Sequence, residues 1–366
     1  MTEITADRQT TSLTLPQRGV GWLEPKAGRM PPAPPPGTDI TYYGMPALKA
    51  SPWDWKVGAY VFVAGLSGSA QLLSLVAGLV RGQKAQSLVR NGRYMALAGS
   101  LAGAPLLIAD LHAPDRWYNM LRIFRRTSPM SIGSYVLTAF GAFSSLAAIG
   151  QLMSDLGWRR RASQRLAWAA QVAAAAAGAG MSVYTAALLS ATSSPLWAAA
   201  NRLLAIRFGS SAMASAAAAL SLAERAQGDR DGNARPLDAA AFLATLAGLV
   251  ATGAANRRYR SFGVDSPLRD EPAIALKNKL GASTVGQALP LACYGAAAMS
   301  RRDRPDLSVL ASLGVIAGSY FLRAGIIHAG MTSSERPADA LRFARRPSVE
   351  RGSGALPPLL GSFRHG

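Results

Sequence analysis

The charged residues of LLIADLHAPDRWYNMLRIFRRTSPMSIGSYVL, residues 106–137, could carry proton exchange and charge pairing. Asp110 ends an apolar run, where a carboxylate can accept a proton or pair with the guanidinium of Arg116. The arginines of this stretch suit a solvated or lipid-facing surface and also suit docking of an acidic partner. They are Arg116, Arg122, Arg125 and Arg126.

Eight apolar blocks frame these groups and must position them. Each is roughly 17 to 28 residues long, which is enough for a helix to cross the hydrocarbon core of a bilayer. They lie at 57–80, 93–112, 130–153, 164–190, 203–223, 238–256, 284–300 and 307–329. The sequence therefore predicts an all-α integral membrane protein, a bundle of eight transmembrane helices with polar N- and C-terminal tails.

The ends of the sequence differ from its middle. Residues 1–50 are polar and contain PPAPPPG at 31–37, which predicts an extended tail, and they lack the apolar core of a signal peptide. Residues 51–330 form the membrane domain, with a first half at 51–190 and a second half at 195–330. Residues 331–366 are polar again and predict a C-terminal tail.

The formal net charge of +19 invites a comparison with nucleic-acid-binding proteins, but its distribution argues against that class. Lys and Arg stand mainly in the short connections between apolar blocks, where they anchor topology and contact anionic lipid. They are somewhat more numerous in the odd-numbered connections, which favours both termini on the outer side of the cell membrane.

The counts of histidine and cysteine limit the redox groups that this protein can hold. Its histidines are His112, His328 and His365, and its one cysteine is Cys293. A haem held by two histidines inside the bundle is therefore not expected, and neither an iron–sulfur cluster nor an internal disulfide can form. No Walker-type loop or dinucleotide fingerprint is found. Cys293 on an apolar helix predicts a small buried side chain.

Several separate motifs resemble the NrfD/PsrC family of polysulfide reductase membrane subunits. The connection after the second block matches the family pattern at Asp110, Leu111, Pro114, Arg116, Ser128, Pro129, Met130, Ser131, Gly133 and Ser134. Residues 42–70 resemble the family's first helix, residues 184–197 the end of its fourth, and residues 322–337 its eighth. The similarity runs through residues 42–337 with the motifs in the family's order.

The resemblance implies a membrane subunit of a multi-subunit oxidoreductase. In that family the subunit binds quinol or quinone, here menaquinone or ubiquinone, and exchanges electrons with a docked four-cluster iron–sulfur subunit. That partner in turn serves a molybdopterin catalytic subunit or another redox partner. The lack of haem and cluster ligands in this sequence fits the arrangement.

The quinone-binding residues that the resemblance implies converge from the ends of the first four helices. Tyr184 aligns with a family tyrosine placed to bond a quinone carbonyl. Tyr60 and Val57 stand where some members carry histidine and asparagine, so the sequence departs from the pattern there. Asp110 and Trp55 complete the predicted set, with interfacial anchoring as the alternative for the aromatic residues.

Arg323 lies inside the last apolar block, where a charge must pair or line a hydrated path. Asp238 is its candidate partner, or else a helix cap, and the two residues suggest a proton path through the second half. Two other functions remain open: a structural anchor with a degenerate quinone site, and a secondary transporter, which should show matched broken helices in two halves.

Overall fold

The computed structural model describes residues 48–111, 113–300 and 304–344, and these are helices joined by short connections. The helices are α1 Trp55–Arg81, α2 Gln86–Asp110, α3 Pro129–Asp155, α4 Arg160–Ser190, α5 Pro195–Ala199, α6 Asn201–Ala226, α7 Ala234–Phe262, α8 Ser266–Asp270, α9 Pro272–Ala282, α10 Leu289–Met299, α11 Pro305–Glu335 and α12 Pro337–Ala344. An all-helical protein was the prediction, and the described residues confirm it.

Local sequence signals begin and end the long helices. Asp54 caps α1 by accepting a hydrogen bond from the backbone nitrogen of Lys56 at 2.8 Å. Ser128 caps α3, with Pro129 in the first turn. Gly263 ends α7 with a left-handed φ of 66°, a conformation that glycine adopts without a steric penalty.

Small residues bring the backbones of the first four helices together. A Cβ atom added to Gly68 in α1 would lie 2.5 Å from the carbonyl oxygen of Gly178 in α4. This close approach is typical of membrane helices, where dispersion packing replaces the hydrophobic effect. α11 is the most buried of the long helices and packs against α1, α6, α9 and α10.

The prediction of eight spanning helices is not confirmed. Within the described residues, six ranges are long and apolar enough to cross a membrane: Trp55–Asp110, Pro129–Asp155, Arg160–Ser190, Asn201–Ala226, Ala234–Phe262 and Pro305–Glu335. The first contains both α1 and α2, which the turn Gly82–Ala85 separates. The predicted block 284–300 falls on a broken element, in which the π turn Thr284–Ala288 separates α9 from α10.

The predicted tails lie only partly within the described residues. Residues 1–47, with the proline-rich motif, and residues 345–366 lie outside them, as does His112. The C-terminal prediction places residues 331–344 in a tail, whereas α11 continues to Glu335 and α12 follows. The reason is packing: Asp339 of α12 is buried and its carboxylate accepts hydrogen bonds from Ser266 at 3.1 Å.

Candidate functional site

A cavity of about 300 Å³ lies where α1 and α3 begin and α2 and α4 end. Its walls are mostly apolar and include Val57, Val61, Leu107, Leu188, Leu189 and Ile327. Its polar groups come from Tyr60, Asp110, Ser134, Tyr184 and Thr185. The antiparallel order of the four helices thus brings three of the predicted ligand-binding residues, Tyr60, Asp110 and Tyr184, to one place.

Two contacts with the first turns of α3 hold the hydroxyl end of the Tyr184 ring. Its hydroxyl donates a hydrogen bond to the carbonyl oxygen of Pro129 at 2.9 Å. The ring occupies the space beside Gly133, where an added Cβ atom would lie 1.9 Å from the ring carbon Cζ. Because its proton is engaged with Pro129, the Tyr184 oxygen faces the cavity chiefly as an acceptor.

Tyr60 differs from Tyr184 in its hydrogen bonding. Its side chain is only 5% exposed, and its ring packs beside Gly103 of α2. Within the described residues its hydroxyl has no hydrogen-bond partner, although the residue lines the cavity. A buried hydroxyl of this kind gains most from a ligand oxygen that accepts its proton.

Asp110 lies at the mouth of the cavity beside Lys56, whose charge attracts its carboxylate. The ammonium of Lys56 bonds Asp54 Oδ2 at 2.8 Å and the carbonyl oxygen of Ala109 at 3.3 Å. The predicted pair with Arg116 is not among the ion pairs of the described residues, and Arg116 is exposed. Sequence reasoning missed Lys56, although its position two residues after a helix cap placed it near this end.

Trp55 is not brought to the cavity. Its side chain is 61% exposed at the start of α1, whereas Trp53 lines the cavity. Trp53 stacks on Trp197 with 5.5 Å between ring centroids, and Trp197 Nε1 donates to the carbonyl oxygen of Ile326 at 2.9 Å. Sequence reasoning missed Trp197, because the contact joins residues far apart in the sequence.

The family model described as "Polysulphide reductase, NrfD" matches residues 45–334. The chain belongs to the NrfD family. It is also 26% identical over 107 residues to the C chain of polysulfide reductase from Wolinella succinogenes, a match that covers 28% of this sequence and 34% of that protein. Together with the long apolar helices, family membership makes it a multi-pass membrane protein.

In this NrfD-family protein, the connection between α2 and α3 closes the cavity and faces outward. Its 3₁₀ segment Pro114–Leu121 places Met120 in the cavity wall. The Ser131 hydroxyl accepts from the backbone nitrogen of Arg125 at 3.1 Å and donates to the carbonyl oxygen of Ile123 at 3.2 Å. The four predicted docking arginines, Arg116, Arg122, Arg125 and Arg126, are all exposed here.

The two residues of the predicted proton path lie apart in the NrfD-family fold. Arg323 is 1% exposed and donates to Ser211 Oγ, to Ser319 and to the carbonyl oxygen of Phe208. Asp238, near the start of α7, pairs instead with Arg225 and Ser221. The Arg323 guanidinium therefore bonds neutral oxygens, and Asp238 is not its partner.

Proposed function

We propose that this protein is the quinol- and quinone-interacting membrane subunit of a multi-subunit oxidoreductase. The observation that carries the proposal is the cavity, whose apolar walls suit a quinone ring and whose hydroxyls suit its oxygens. A bound quinone or quinol, of the menaquinone or ubiquinone type, would supply the two-electron, two-proton chemistry. The hydroxyls of Tyr60 and Tyr184 and the carboxylate of Asp110 fit that group.

Each polar side chain has a distinct task in this proposal. Tyr60 donates its free hydroxyl proton to a carbonyl oxygen of the ligand. Tyr184, whose proton bonds Pro129, accepts from the hydroxyl of the reduced ligand. Asp110 lies where it can exchange a proton with the ligand, and the charge of Lys56 attracts its carboxylate.

The exposed arginines at the same end of the bundle support the docking of a partner subunit there. A subunit with an acidic surface would be attracted to the segment 114–126, which also exposes Trp117 and Phe124. The proposed partner is a four-cluster iron–sulfur, ferredoxin-like subunit, and through it a molybdopterin catalytic subunit. The relative's designation as the C chain of a polysulfide reductase supports assembly with further subunits.

Eight crossings form part of the proposal. α1 and α2 each exceed the length of the hydrocarbon core, and the broken element of α9 and α10 runs antiparallel along α11. Lys277 contacts His328 at 2.8 Å near one end of α11, and Tyr294 contacts Ser312 at 2.9 Å near the other. With eight crossings both termini lie on one side, for which the charge distribution favours the outside.

Binding of a quinol analogue tests the proposal. A hydroxyquinoline N-oxide is titrated into the purified protein. We expect it to bind with micromolar affinity and its fluorescence to be quenched when it binds. We expect Tyr60→Phe and Tyr184→Phe each to weaken binding several-fold, because each removes a hydroxyl from the cavity. Tyr94→Phe is the matched control, since Tyr94 bonds Asp155 at the opposite end of α2.

A folded, partner-bound preparation that binds no analogue would make this protein a structural anchor. Unchanged affinity in both cavity variants, with binding intact, would place the quinone elsewhere.

A further inference from the structure

A polar stripe runs along one face of α1 from the cavity to the opposite end of the bundle. It comprises the polar side chains of Tyr60, Ser67, Gln71 and Ser74 and ends at Gly78, and we call it the α1 stripe. Their spacing of seven, four, three and four residues keeps them on one face of a helix. Eighteen residues at about 1.5 Å each give about 27 Å, close to the hydrocarbon thickness of a bilayer.

The far end of the stripe opens into a second, larger depression. This cleft of about 1010 Å³ lies where α1 ends, α2 begins, α3 ends and α4 begins, and Gly78 is part of its wall. Charged residues of both signs line it, among them Arg90, Asp155, Arg160 and Glu224. Water hydrates such a surface, so the cleft brings solvent to the end of the stripe at Gly78.

Hydrogen bonds lead from the cleft into the bundle. Arg93, which is 4% exposed, donates to Gln151 Oε1 at 2.6 Å and twice to Gln171 Oε1, at 2.6 and 2.9 Å. Gln171 Nε2 then donates to Ser74 Oγ at 3.1 Å. Arg93 and Gln151 line the cleft, so this series of bonds connects solvent directly to the α1 stripe.

One turn further along, neither the oxygen nor the nitrogen of the Gln71 side-chain amide has a hydrogen-bond partner among the described residues. Its side chain is 0% exposed, and the buried hydroxyl of Ser144 in α3 is also without a partner among the described residues. Unbonded amide and hydroxyl groups at this depth are costly, and buried water is the usual way to satisfy them. These groups therefore mark places for internal water between the two openings.

We propose that the α1 stripe is a hydrated proton route between the cavity and the cleft. The inference rests on the proposed quinone function of the cavity. When a quinol is oxidised there, two O–H bonds break, two electrons leave to the iron–sulfur partner, and two protons pass along Tyr60, Ser67, Gln71 and Ser74 to the cleft. Reduction of a quinone runs the same steps in reverse.

This route has an energetic consequence. Electrons and protons would enter or leave the cavity from opposite membrane faces. Turnover would then move charge across the bilayer, whereas proton exchange at the cavity mouth through Asp110 would move little. An experiment can therefore distinguish the two routes by measuring at which membrane face protons are exchanged.

The test uses the intact complex that holds this protein, purified and reconstituted into liposomes. Quinol absorbance follows turnover, and pH dyes trapped inside or added outside report protons at each face. In the original protein we expect proton exchange at the cleft face. Gln71→Leu should lower that exchange about tenfold while leaving quinol-analogue affinity unchanged. Gln287→Leu, a buried glutamine of the second half, is the matched control.

A structural readout stands beside the proton assay. A high-resolution electron density map of the protein should show ordered water at Gln71 and Ser144. Ser74→Ala, a smaller change, replaces Gln71→Leu if the latter does not fold. Proton exchange only at the cavity face during normal turnover, or a dry site at Gln71, would overturn the inference and leave the quinone function intact. If the protein without substitutions neither turned over quinol nor bound the analogue, the quinone function itself would be overturned.

Discussion

The two ends of the α1–α4 bundle are built from the same helices but present opposite chemistry. The cavity is small and apolar, and Met120 closes it. The cleft is more than three times larger and is lined by charged and amide side chains. An apolar cavity strengthens each hydrogen bond to a neutral ligand, whereas a cleft lined by charged groups is hydrated and screens charges. One bundle can therefore bind a quinone at one end and admit water at the other.

We expect the largest effect from a change at the close contact between α1 and α4, the helices that both ends share. In Gly68→Ala the new Cβ would meet the backbone of Gly178 at 2.5 Å and push α1 away from α4. We expect the free energy of unfolding to fall by about 2 kcal/mol. Denaturation by detergent or heat measures it. Gly253→Ala, where a Cβ meets nothing within 4 Å, should be neutral or slightly stabilising.

The second prediction concerns the cavity alone. In Gly133→Ala the new methyl group would overlap the ring of Tyr184 and displace it. We expect quinol-analogue affinity to fall about tenfold, or about 1.4 kcal/mol. Titration of the analogue measures this. Gly141→Ala in the same helix should keep full affinity, because its Cβ would lie in open space; a similar loss there would assign the effect to α3 as a whole.

The third prediction concerns the cleft alone. Arg93→Lys keeps the charge but loses the forked hydrogen bonds to Gln151 and Gln171. We expect a loss of about 1 kcal/mol in the free energy of unfolding and no change in quinol-analogue affinity. Thermal denaturation and analogue titration measure the two quantities. A large fall in affinity would show that the two ends are not independent.

The smallest expected effect lies at the edge of the cavity end, in α12. Burial raises the pKa of the Asp339 carboxyl above its usual range. The folded protein therefore binds the Asp339 proton more tightly than the unfolded chain does. This stabilisation of the fold is complete below about pH 4 and is lost as the pH rises through the raised pKa. We expect α12 amides to open more readily at neutral than at acid pH, after correction for intrinsic exchange rates. Hydrogen exchange measures this, and Asp339→Asn should abolish the difference.

Much of the fold follows from the sequence because the bilayer imposes one length and one polarity on each crossing. The predicted blocks 130–153, 164–190 and 203–223 fall within α3, α4 and α6. The block 284–300 misled, since apolar composition does not reveal a break. At the break, Gly286 contacts Gly318 of α11. A Cβ atom added to Gly318 would lie only 2.0 Å from the Gly286 Cα atom.

The site was partly predictable for a similar reason. Helix order alone brings the ends that carry Tyr60, Asp110 and Tyr184 to one membrane face. The choice between Trp53 and Trp55 was not predictable, because it depends on stacking against Trp197, which is distant in the sequence. The α1 stripe was not predicted, because the spacing of its residues does not show what faces them.

The amino-acid sequence was enough to predict the all-helical class, the approximate place of most long helices and the distribution of charge, because these depend on neighbours along the backbone and on the solvent. Which polar groups meet, in contrast, depends on the packing of the helices. Helix rotation and depth depend on contacts between distant segments. Those contacts placed Lys56 near Asp110, paired Asp238 with Arg225 rather than with Arg323, and left Gln71 buried between two openings.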